Sequence, residues 1–296
     1  MRLLGTAAVA VCFAAALSAC SQSSKSDASK SSYAPEAPAR IASGGGLLSA
    51  GSLSGRTIRV SSISDIRLRK GEVVLTFDDG PIPGRTDAVL SVLRTYGVRA
   101  TFLMVGSMAR AHPATARKVA AAGMTIGTHT QGHANLRRLS LEAARAQINE
   151  GQRSVASALI PTGYRPAPFF RFPYLSDTPA LRRQLASQNV VVLDVDVDSK
   201  DYFPSSPGQV NSRTLQRLKA RGSGIVLFHD IHARTARMLP AFLDELKASG
   251  FSVVHLVPGR SASGDLLVSS FTDPQLTSTA YAYTMPAGVL SAAAGR

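Results

Sequence analysis

Two neighbouring carboxylates, Asp78 and Asp79, follow the apolar run 73–75 and precede a Gly-Pro pair at 80–81. Adjacent carboxylates raise each other's pKa, and burial at a strand end disfavours their ionisation further. A fold tolerates such a pair when a metal or cation compensates one member and the other transfers protons. The alternative is an ordinary Asp-Asp-Gly-Pro turn leaving a strand. The choice depends on whether the chain supplies the other parts of a metal site.

Two histidines, His129 and His133, lie four residues apart, just past an apolar segment at 124–128. On a helix or helical turn, residues at this spacing share a face, so both imidazoles can bind one ion. With Asp79 they form a two-histidine, one-carboxylate set that suits a catalytic zinc, although cobalt, nickel or manganese also fit. The alternative is a pair of histidines in a solvated loop. We predict a divalent metal, zinc first, on Asp79, His129 and His133.

These side chains need a scaffold in which several strand ends meet. Apolar segments that predict strands occur at 73–77, 100–105, 124–128, 169–172, 190–197, 224–228 and 251–257. Helical segments are predicted at 87–96, 113–122, 140–159, 179–187, 207–220 and 236–249. Their alternation predicts an α/β fold with a parallel sheet, and about seven strands favour a barrel over an open sheet. In such barrels the chemistry collects at the carboxyl ends of the strands, where each polar cluster lies.

The amino-terminal end predicts export. Residues 1–19 carry one early charge, Arg2, then an apolar run and small residues, as in a signal peptide. The sequence Leu-Ser-Ala-Cys at 17–20 resembles a bacterial lipobox, which predicts a lipid on Cys20 and an anchor in a membrane. The alternative is a chance cysteine beside an ordinary signal cleavage site. We expect a lipoprotein of the cell envelope that faces the periplasm or lies in the outer membrane.

Composition divides the remaining chain. Residues 20–57 are rich in Ser, Ala, Gly and Pro and predict a flexible linker; 58–260 suit one α/β domain; 261–296 are a low-complexity tail. The formal net charge is +14. Because the cations are scattered with few aromatics between them, and an exported protein meets no genome, we expect no nucleic-acid partner. An anionic envelope polymer or a lipid surface is favoured instead, and we expect a monomer.

Five motifs in order resemble the polysaccharide deacetylases, which have a NodB-homology domain and form carbohydrate esterase family 4. The resemblance spans about residues 70–258, and its motifs are Thr76 to Pro81, His129-Thr130-x-x-His133, Arg171-Phe172-Pro173-Tyr174, Asp198-x-x-Asp201 and Leu227-Phe228-His229-Asp230. It implies a distorted (β/α) barrel of about seven parallel strands. It also implies metal-dependent removal of acetyl groups from N-acetylated or O-acetylated polysaccharides.

The resemblance implies a role for each matching residue on the hydrolytic side of the site. The metal, on the three ligands named above, would bind the acetyl carbonyl and a water whose pKa it lowers from about 15.7 toward about 7. Asp78 would be the general base, and Arg171 would keep it ionised and aimed. The metal and the backbone N–H of Tyr174 would hold the developing oxyanion.

The resemblance also implies a general acid and the walls of a pocket. His229 would protonate the departing amine or alcohol, a task suited to its ordinary pKa of about 6.5. Asp201 would orient this histidine and raise its pKa, with Asp198 as the alternative. Leu227 and Tyr202 would wall the pocket for the acetyl methyl group. Tyr202 stands where the family often has Trp, which bears on the substrate more than on the reaction.

These expectations favour metal-dependent hydrolytic deacetylation of an N-acetylated amino-sugar polymer or oligosaccharide, of peptidoglycan or chitooligosaccharide type. One alternative is an O-acetyl esterase that acts on xylan or an exopolysaccharide with the same machinery. Another is a catalytically silent glycan-binding lipoprotein, which would need neither a general base nor a general acid.

Overall fold

The structure, a computed structural model, describes residues 52–259 as an α/β fold whose paired strands are all parallel. Its elements in chain order are β1 Ser54–Val60, β2 Glu72–Asp78, α1 Arg85–Thr95, β3 Thr101–Met104, α2 Gly106–Ala111, α3 Pro113–Ala121, β4 Thr125–Thr128, α4 Leu141–Leu159, β5 Phe169–Phe170, α5 Pro179–Ser187, β6 Val191–Val192, β7 Val197–Asp198, α6 Pro207–Arg221, β8 Gly224–His229, α7 Ala233–Ala248 and β9 Ser252–Pro258. Within residues 52–259, no helix combines the length and the apolar character needed to cross a membrane.

Seven of the strands form the predicted distorted barrel. Strand β2 lies between β3 and β8; the sheet continues on one side through β4, β5 and β6, and on the other through β7. In the described part of the chain β6 and β7 do not pair with each other, so the barrel is open between them. The prediction of one strand over 190–197 was therefore wrong, because residues 193–196 belong to no strand and separate β6 from β7. There the carbonyls of Leu193 and Asp194 accept hydrogen bonds from Arg171 instead of a neighbouring strand.

Two further strands cover the amino ends of the barrel. Strand β9 pairs with β2 only at Glu72 and Val73, and β1 lies along its other edge. The hydroxyl of Thr125, at the start of β4, donates to the carbonyl of Leu256 in β9, so β9 reaches across the barrel. Strand β1 begins inside the predicted linker 20–57, so residues 54–57 belong to the folded part. The predicted signal peptide, Cys20, most of the linker and the tail 261–296 lie outside the described residues.

Helices α4, α5 and α6 begin where polar side chains cap their free backbone N–H groups. Ser140, which opens α4 as predicted, accepts a hydrogen bond from the N–H of Ala143. Thr178 caps α5 in the same way, and Ser206 caps α6. Proline follows both of these caps at the first helical position, where its fixed φ suits a helix start. These caps provide acceptors for N–H groups that have no partner within the helix.

Side-chain alternation along β2 sends one set of residues outward and the other inward. Val73, Leu75 and Phe77 belong to the larger apolar core, which also contains buried residues of α1, α3, α6 and α7. Val74 belongs to a second core that fills the barrel with residues of β3, β5, β8 and β9. By the period of two, Asp78 points the same way as Val74. The barrel interior is thus apolar along most of β2 and acidic at the carboxyl end of that strand.

Candidate active site

The carboxylate of Asp78 is buried at the carboxyl end of β2, with 2% of the residue exposed. Its Oδ1 accepts a hydrogen bond of 2.8 Å from Nη1 of Arg171, which is itself buried. The same nitrogen donates to the Thr76 hydroxyl at 2.7 Å, and Nε donates to the carbonyl of Leu193 at 3.0 Å. Burial raises the pKa of Asp78, while the guanidinium of Arg171 acts in the opposite direction. The predicted pair is therefore present and fixed by further hydrogen bonds.

The next residue, Asp79, faces both histidines of the predicted metal site. Its Oδ1 lies 3.6 Å from Nε2 of His129 and 3.3 Å from Nε2 of His133. This oxygen is buried and has no hydrogen-bond partner among the described residues. The three ligand atoms lie within 4.8 Å of one another. One carboxylate oxygen and two imidazole nitrogens that converge without other partners suit a divalent ion of the zinc type.

The protonation of His129 also fits a metal ligand. Its Nδ1 lies 2.7 Å from the carbonyl oxygen of Arg171, an arrangement in which Nδ1–H donates and Nε2 keeps its lone pair toward Asp79. Burial lowers the pKa of His129 to about 3, against the opposing charge of Asp79. The neutral imidazole with a fixed tautomer is the form that binds metal ions. Arg171 therefore positions Asp78 through its side chain and His129 through its backbone.

Both histidines lie on a tight turn after β4, whereas spacing alone allowed a helix. Thr130 and His133 have left-handed backbone angles, with φ of 65° and 55°. Helix α4 holds the turn, because the backbone carbonyl and the side chain of Gln147 accept the N–H groups of residues 131 and 132. Gly151 of α4 approaches Thr130 so closely that an added Cβ would lie 2.5 Å from a backbone atom. The packing of α4 thus sets the positions of the ligands.

The side chain of His229, at the end of β8, is paired with Asp201. Nδ1 of His229 lies 2.7 Å from Oδ1 of Asp201, and its backbone N–H donates to Oδ2 at 2.8 Å. Burial alone would lower the pKa of His229, but the hydrogen bond and charge of Asp201 outweigh it and raise the pKa to about 9. Asp198, the alternative partner, instead accepts from the hydroxyl of Tyr202 at 2.9 Å. The structure therefore brings Asp201, and not Asp198, to this histidine.

The remaining predicted site residues surround this centre. The ring of Tyr174 packs edge-on against His133 at 4.7 Å, and its residue has a φ of 59°. The ring of Tyr202 packs edge-on against His229 at 5.4 Å. Leu227 is buried in β8, two residues before His229 and on the same side of the strand. All three thus lie next to the predicted ligands or acid.

Sequence reasoning gave no role to Asp230, although it quoted the residue within a motif. Its buried carboxylate accepts the backbone N–H of Gly80 at 3.0 Å and the hydroxyl of Thr86 at 2.6 Å. Burial raises its pKa to about 7 against the effect of these two donors. An added Cβ on Gly80 would lie 2.2 Å from this carboxylate. Asp230 thereby joins the turn after Asp79 to the turn after His229. In the sequence, the only sign of this role was a carboxylate at the end of a second strand.

The side chains of Asp78 and His229 both lie beside the predicted metal ligands. Oδ2 of Asp78 lies 3.9 Å from Nε2 of His129, and Nε2 of His229 lies 4.0 Å from Oδ2 of Asp79. The Asp78 carboxylate, paired with Arg171, thus faces the predicted metal ligands. The His229 imidazole, paired with Asp201, faces the same ligands. Such an arrangement can accept a proton at one atom and deliver one at another, beside a metal ion.

Comparison with known proteins finds relatives of this chain. The family model for polysaccharide deacetylases matches residues 65–193. The peptidoglycan N-acetylglucosamine deacetylase PgdA of Listeria monocytogenes is 31% identical over 67% of this chain, which spans 40% of that protein's length. A chitin deacetylase of Colletotrichum lindemuthianum is also 31% identical, over 62% of this chain and 77% of its own.

A solved structure shows the same fold. The peptidoglycan deacetylase of Bdellovibrio bacteriovorus superposes with a TM-score of 0.61 and 32% identity, over 73% of this chain and 60% of its own. With the ordered motifs, the barrel and the matched chitin deacetylase, these likenesses establish that the chain belongs to the polysaccharide deacetylase family.

Proposed function

We propose that this protein hydrolyses the acetamido group of N-acetylated amino sugars in a glycan of peptidoglycan or chitooligosaccharide type, with a divalent metal. The observation that carries the proposal is that the Asp78–Arg171 pair and the His229–Asp201 pair face one three-ligand cluster. A glycan-binding protein without activity needs neither pair. The relatives named above support an N-acetylated substrate over an O-acetyl ester.

Asp79, His129 and His133 would hold the metal, and zinc is the first choice, with cobalt, nickel or manganese as alternatives. The metal would supply Lewis-acid polarisation of the acetyl carbonyl and would lower the pKa of a neighbouring water. The buried Oδ1 of Asp79 supports this assignment, because a charged oxygen without a hydrogen-bond partner is unfavourable unless a cation compensates it.

Asp78 acts as the general base. It takes a proton from the water as the water oxygen bonds to the acetyl carbon, and Arg171 keeps the carboxylate ionised and oriented. The backbone N–H of Tyr174 is proposed to donate to the carbonyl oxygen as negative charge develops there. The ring of Tyr174, packed on His133, fixes this segment beside the ligands.

His229 acts as the general acid. As the C–N bond breaks, its Nε2–H gives a proton to the departing nitrogen, so the products are acetate and a free amino sugar. Asp201 positions the ring through Nδ1 and favours the protonated form. Leu227 and Tyr202 are proposed to bound the pocket for the acetyl methyl group, next to this acid.

We also propose that the protein is an exported lipoprotein of the cell envelope, with the folded domain linked flexibly to a lipid on Cys20, and that it works as a monomer. The signal-like residues 1–19, the lipobox-like residues 17–20 and the linker composition support export, lipidation and a flexible tether. Such a tether would let the domain reach a polymer at a distance from the membrane.

Acetate release by the purified protein tests the proposed activity. The substrates are GlcNAc oligomers, peptidoglycan and acetylated xylan, each assayed with chelator, without it, and with zinc or cobalt restored. We expect chelator-sensitive release from an N-acetylated substrate. Release from xylan alone would replace the proposal with an O-acetyl esterase, and no release from metal-loaded protein would favour a silent glycan binder.

A further inference from the structure

Three cations lie on segments that follow the carboxyl ends of strands, and each contacts a residue within two positions of the proposed acid, His229, or of its partner Asp201. Arg85, at the start of α1, donates to the carbonyl of Ile231, two residues after His229. Arg234, in the first turn of α7, donates to the carbonyl of Phe203. The ammonium of Lys200 lies 5.7 Å from the centre of the Phe203 ring. Each cation thus contacts a backbone carbonyl or an aromatic ring.

None of these three cations has an acidic partner within 4.0 Å in the described part of the chain. Asp201, next to Lys200 in sequence, is buried and committed to His229. Asp198, two residues before Lys200, accepts from the Tyr202 hydroxyl and from the N–H of Lys200.

Asp230 is buried and accepts from Gly80 and Thr86, while Asp79 faces the two histidines of the predicted metal site. The nearby carboxylates therefore have other partners, and the three exposed or half-exposed cations have no counter-charge within 4.0 Å in the described part of the chain.

Two aromatic rings accompany the cations. Tyr202 and Phe203 are 40% and 51% exposed, and their ring centres lie 4.7 Å apart. Tyr202 also packs against His229, so the two rings extend outward from the proposed acid. Exposed aromatic faces suit the apolar faces of sugar rings, with polar groups at their edges. We call Arg85, Lys200, Arg234, Tyr202 and Phe203 the acid-side rim.

The positions of Arg85 and Arg234 do not serve helix stability. Both lie in the first turn of a helix, where the positive end of the helix dipole disfavours cations. In the first turn of α7 no acidic residue compensates Arg234. The first turn of α1 contains Asp87, whose carboxylate pairs with Lys118 and not with Arg85. A cation at the positive end of a helix dipole is better explained by an interaction with a group outside that helix.

We propose that the acid-side rim binds a carboxylate of the glycan, so that the protein acts preferentially on acidic amino-sugar polymers rather than on neutral chitin-type chains. Peptidoglycan, whose stem peptides carry carboxylates close to its amino sugars, has this chemistry. The inference rests on the proposed deacetylase function and narrows its substrate class. The rim would attract and orient the acidic substrate through charge.

The test compares a soluble muropeptide with free stem-peptide carboxylates, the same muropeptide with those carboxylates amidated, and chitotetraose. The full-length protein is assayed for kcat/KM on each. We expect the free-acid muropeptide to be favoured over its amidated form by about tenfold. The preference should shrink near 1 M salt, where the Debye length is about 3 Å.

Paired variants separate charge from structure. Arg85→Gln with Arg234→Gln removes both charges but keeps amide donors, and we expect the preference to fall close to one. Arg85→Lys with Arg234→Lys keeps the charges and should keep most of the preference. The matched control is Arg94→Gln with Lys247→Gln, in the last turns of α1 and α7, which should leave it unchanged.

One result would contradict only the acid-side rim, and another would contradict the proposed deacetylase activity. Acetate release from all three substrates, with a preference that the Gln pair does not change, overturns the acid-side rim and leaves the deacetylase proposal intact. No acetate from any substrate, with zinc bound, overturns the deacetylase proposal itself. Zinc content and circular dichroism of each variant confirm that it is folded.

Discussion

At the scale of single residues, Asp79 is the most informative group, because its buried Oδ1 has no hydrogen-bond partner among the described residues. Leaving a buried acceptor unsatisfied costs about 1–3 kcal/mol, and more when it is charged. The residue also adopts a φ of 80°, which is unfavourable for a side chain other than glycine. Both costs are understandable if a cation binds between this oxygen and the two histidine nitrogens.

Asp201 controls the protonation of His229 by the geometry described above. Since the folded pKa of about 9 exceeds the ordinary value near 6.5, this pair stabilises the fold fully below pH 6.5. That contribution is lost as the pH rises through 9. The proposed acid is active when protonated, so activity should persist into alkaline solution.

We predict that Asp201→Asn shifts the alkaline limb of the kcat–pH profile downward, from near pH 9 toward or below 6.5. Without the carboxylate, burial dominates and disfavours the charged imidazole. The measurement is kcat against pH with metal-saturated protein, and thermal unfolding checks that the variant is folded. An alkaline limb that stays in place would contradict the assignment of His229 as the acid.

At the scale of elements, the site depends on how turns from different strands are joined. Asp230 joins the turn that follows β2 to the turn that follows β8, through Gly80 and Thr86. The Thr86 hydroxyl also accepts the N–H of Ile82, so its own proton is directed at Asp230. The position of Asp79 relative to His229 is therefore set by a carboxylate whose hydrogen bonds go to neither of these side chains.

We predict that Asp230→Asn weakens zinc binding about tenfold, as expected when a group that supports a metal ligand is altered. Thr86→Val should weaken it in the same direction, and Thr86→Ser, which keeps the hydroxyl, should not. The measurements are zinc affinity by chelator competition and the visible spectrum of the cobalt-substituted protein. Wild-type affinity and spectrum in both Asp230→Asn and Thr86→Val would contradict this account.

The split of β6 and β7 is also an effect between elements. The segment 190–197 is mostly apolar and predicts one strand, although Asp194 and Asp196 interrupt it. The break follows from Arg171, 22 residues earlier, whose guanidinium takes the carbonyl of Leu193 while it holds Asp78. A buried guanidinium needs several hydrogen-bond acceptors, and Arg171 uses backbone carbonyls that would otherwise be free to pair with a neighbouring strand.

At the scale of the molecule, the alternation of strands and helices, and the clustering of the polar motifs at strand ends, could be predicted because apolar segments end at these motifs. Strand β1 could not be found this way, since its polar composition resembles the linker and it pairs with β9, some 200 residues away. The choice of Asp201 over Asp198 also needed the structure. Asp198 ends β7 and Asp201 lies three residues later, so both are near a strand end. Only the path of the chain decides which carboxylate reaches His229.

The attachment of the protein to a membrane is a prediction from sequence alone. We expect the wild-type protein to fractionate with membranes and Cys20→Ala to lose that association, because the lipid requires the cysteine thiol. The control is Cys12→Ala, inside the predicted signal peptide, which should keep it. Tight membrane association of Cys20→Ala would contradict lipidation.

We propose that metal binding and proton abstraction belong to neighbouring but separate side chains. The most direct measurement is zinc content together with acetate release for Asp78→Asn and His133→Ala, with the exposed Asp244→Asn as control. We predict that Asp78→Asn keeps its zinc and loses at least about 100-fold in kcat. Arg171 retains other acceptors in this variant, and circular dichroism checks its fold.

His133→Ala should lose both zinc and activity, since it removes one of three ligands. Acetate release at the wild-type rate by zinc-loaded Asp78→Asn would contradict the claim and remove Asp78 as the base.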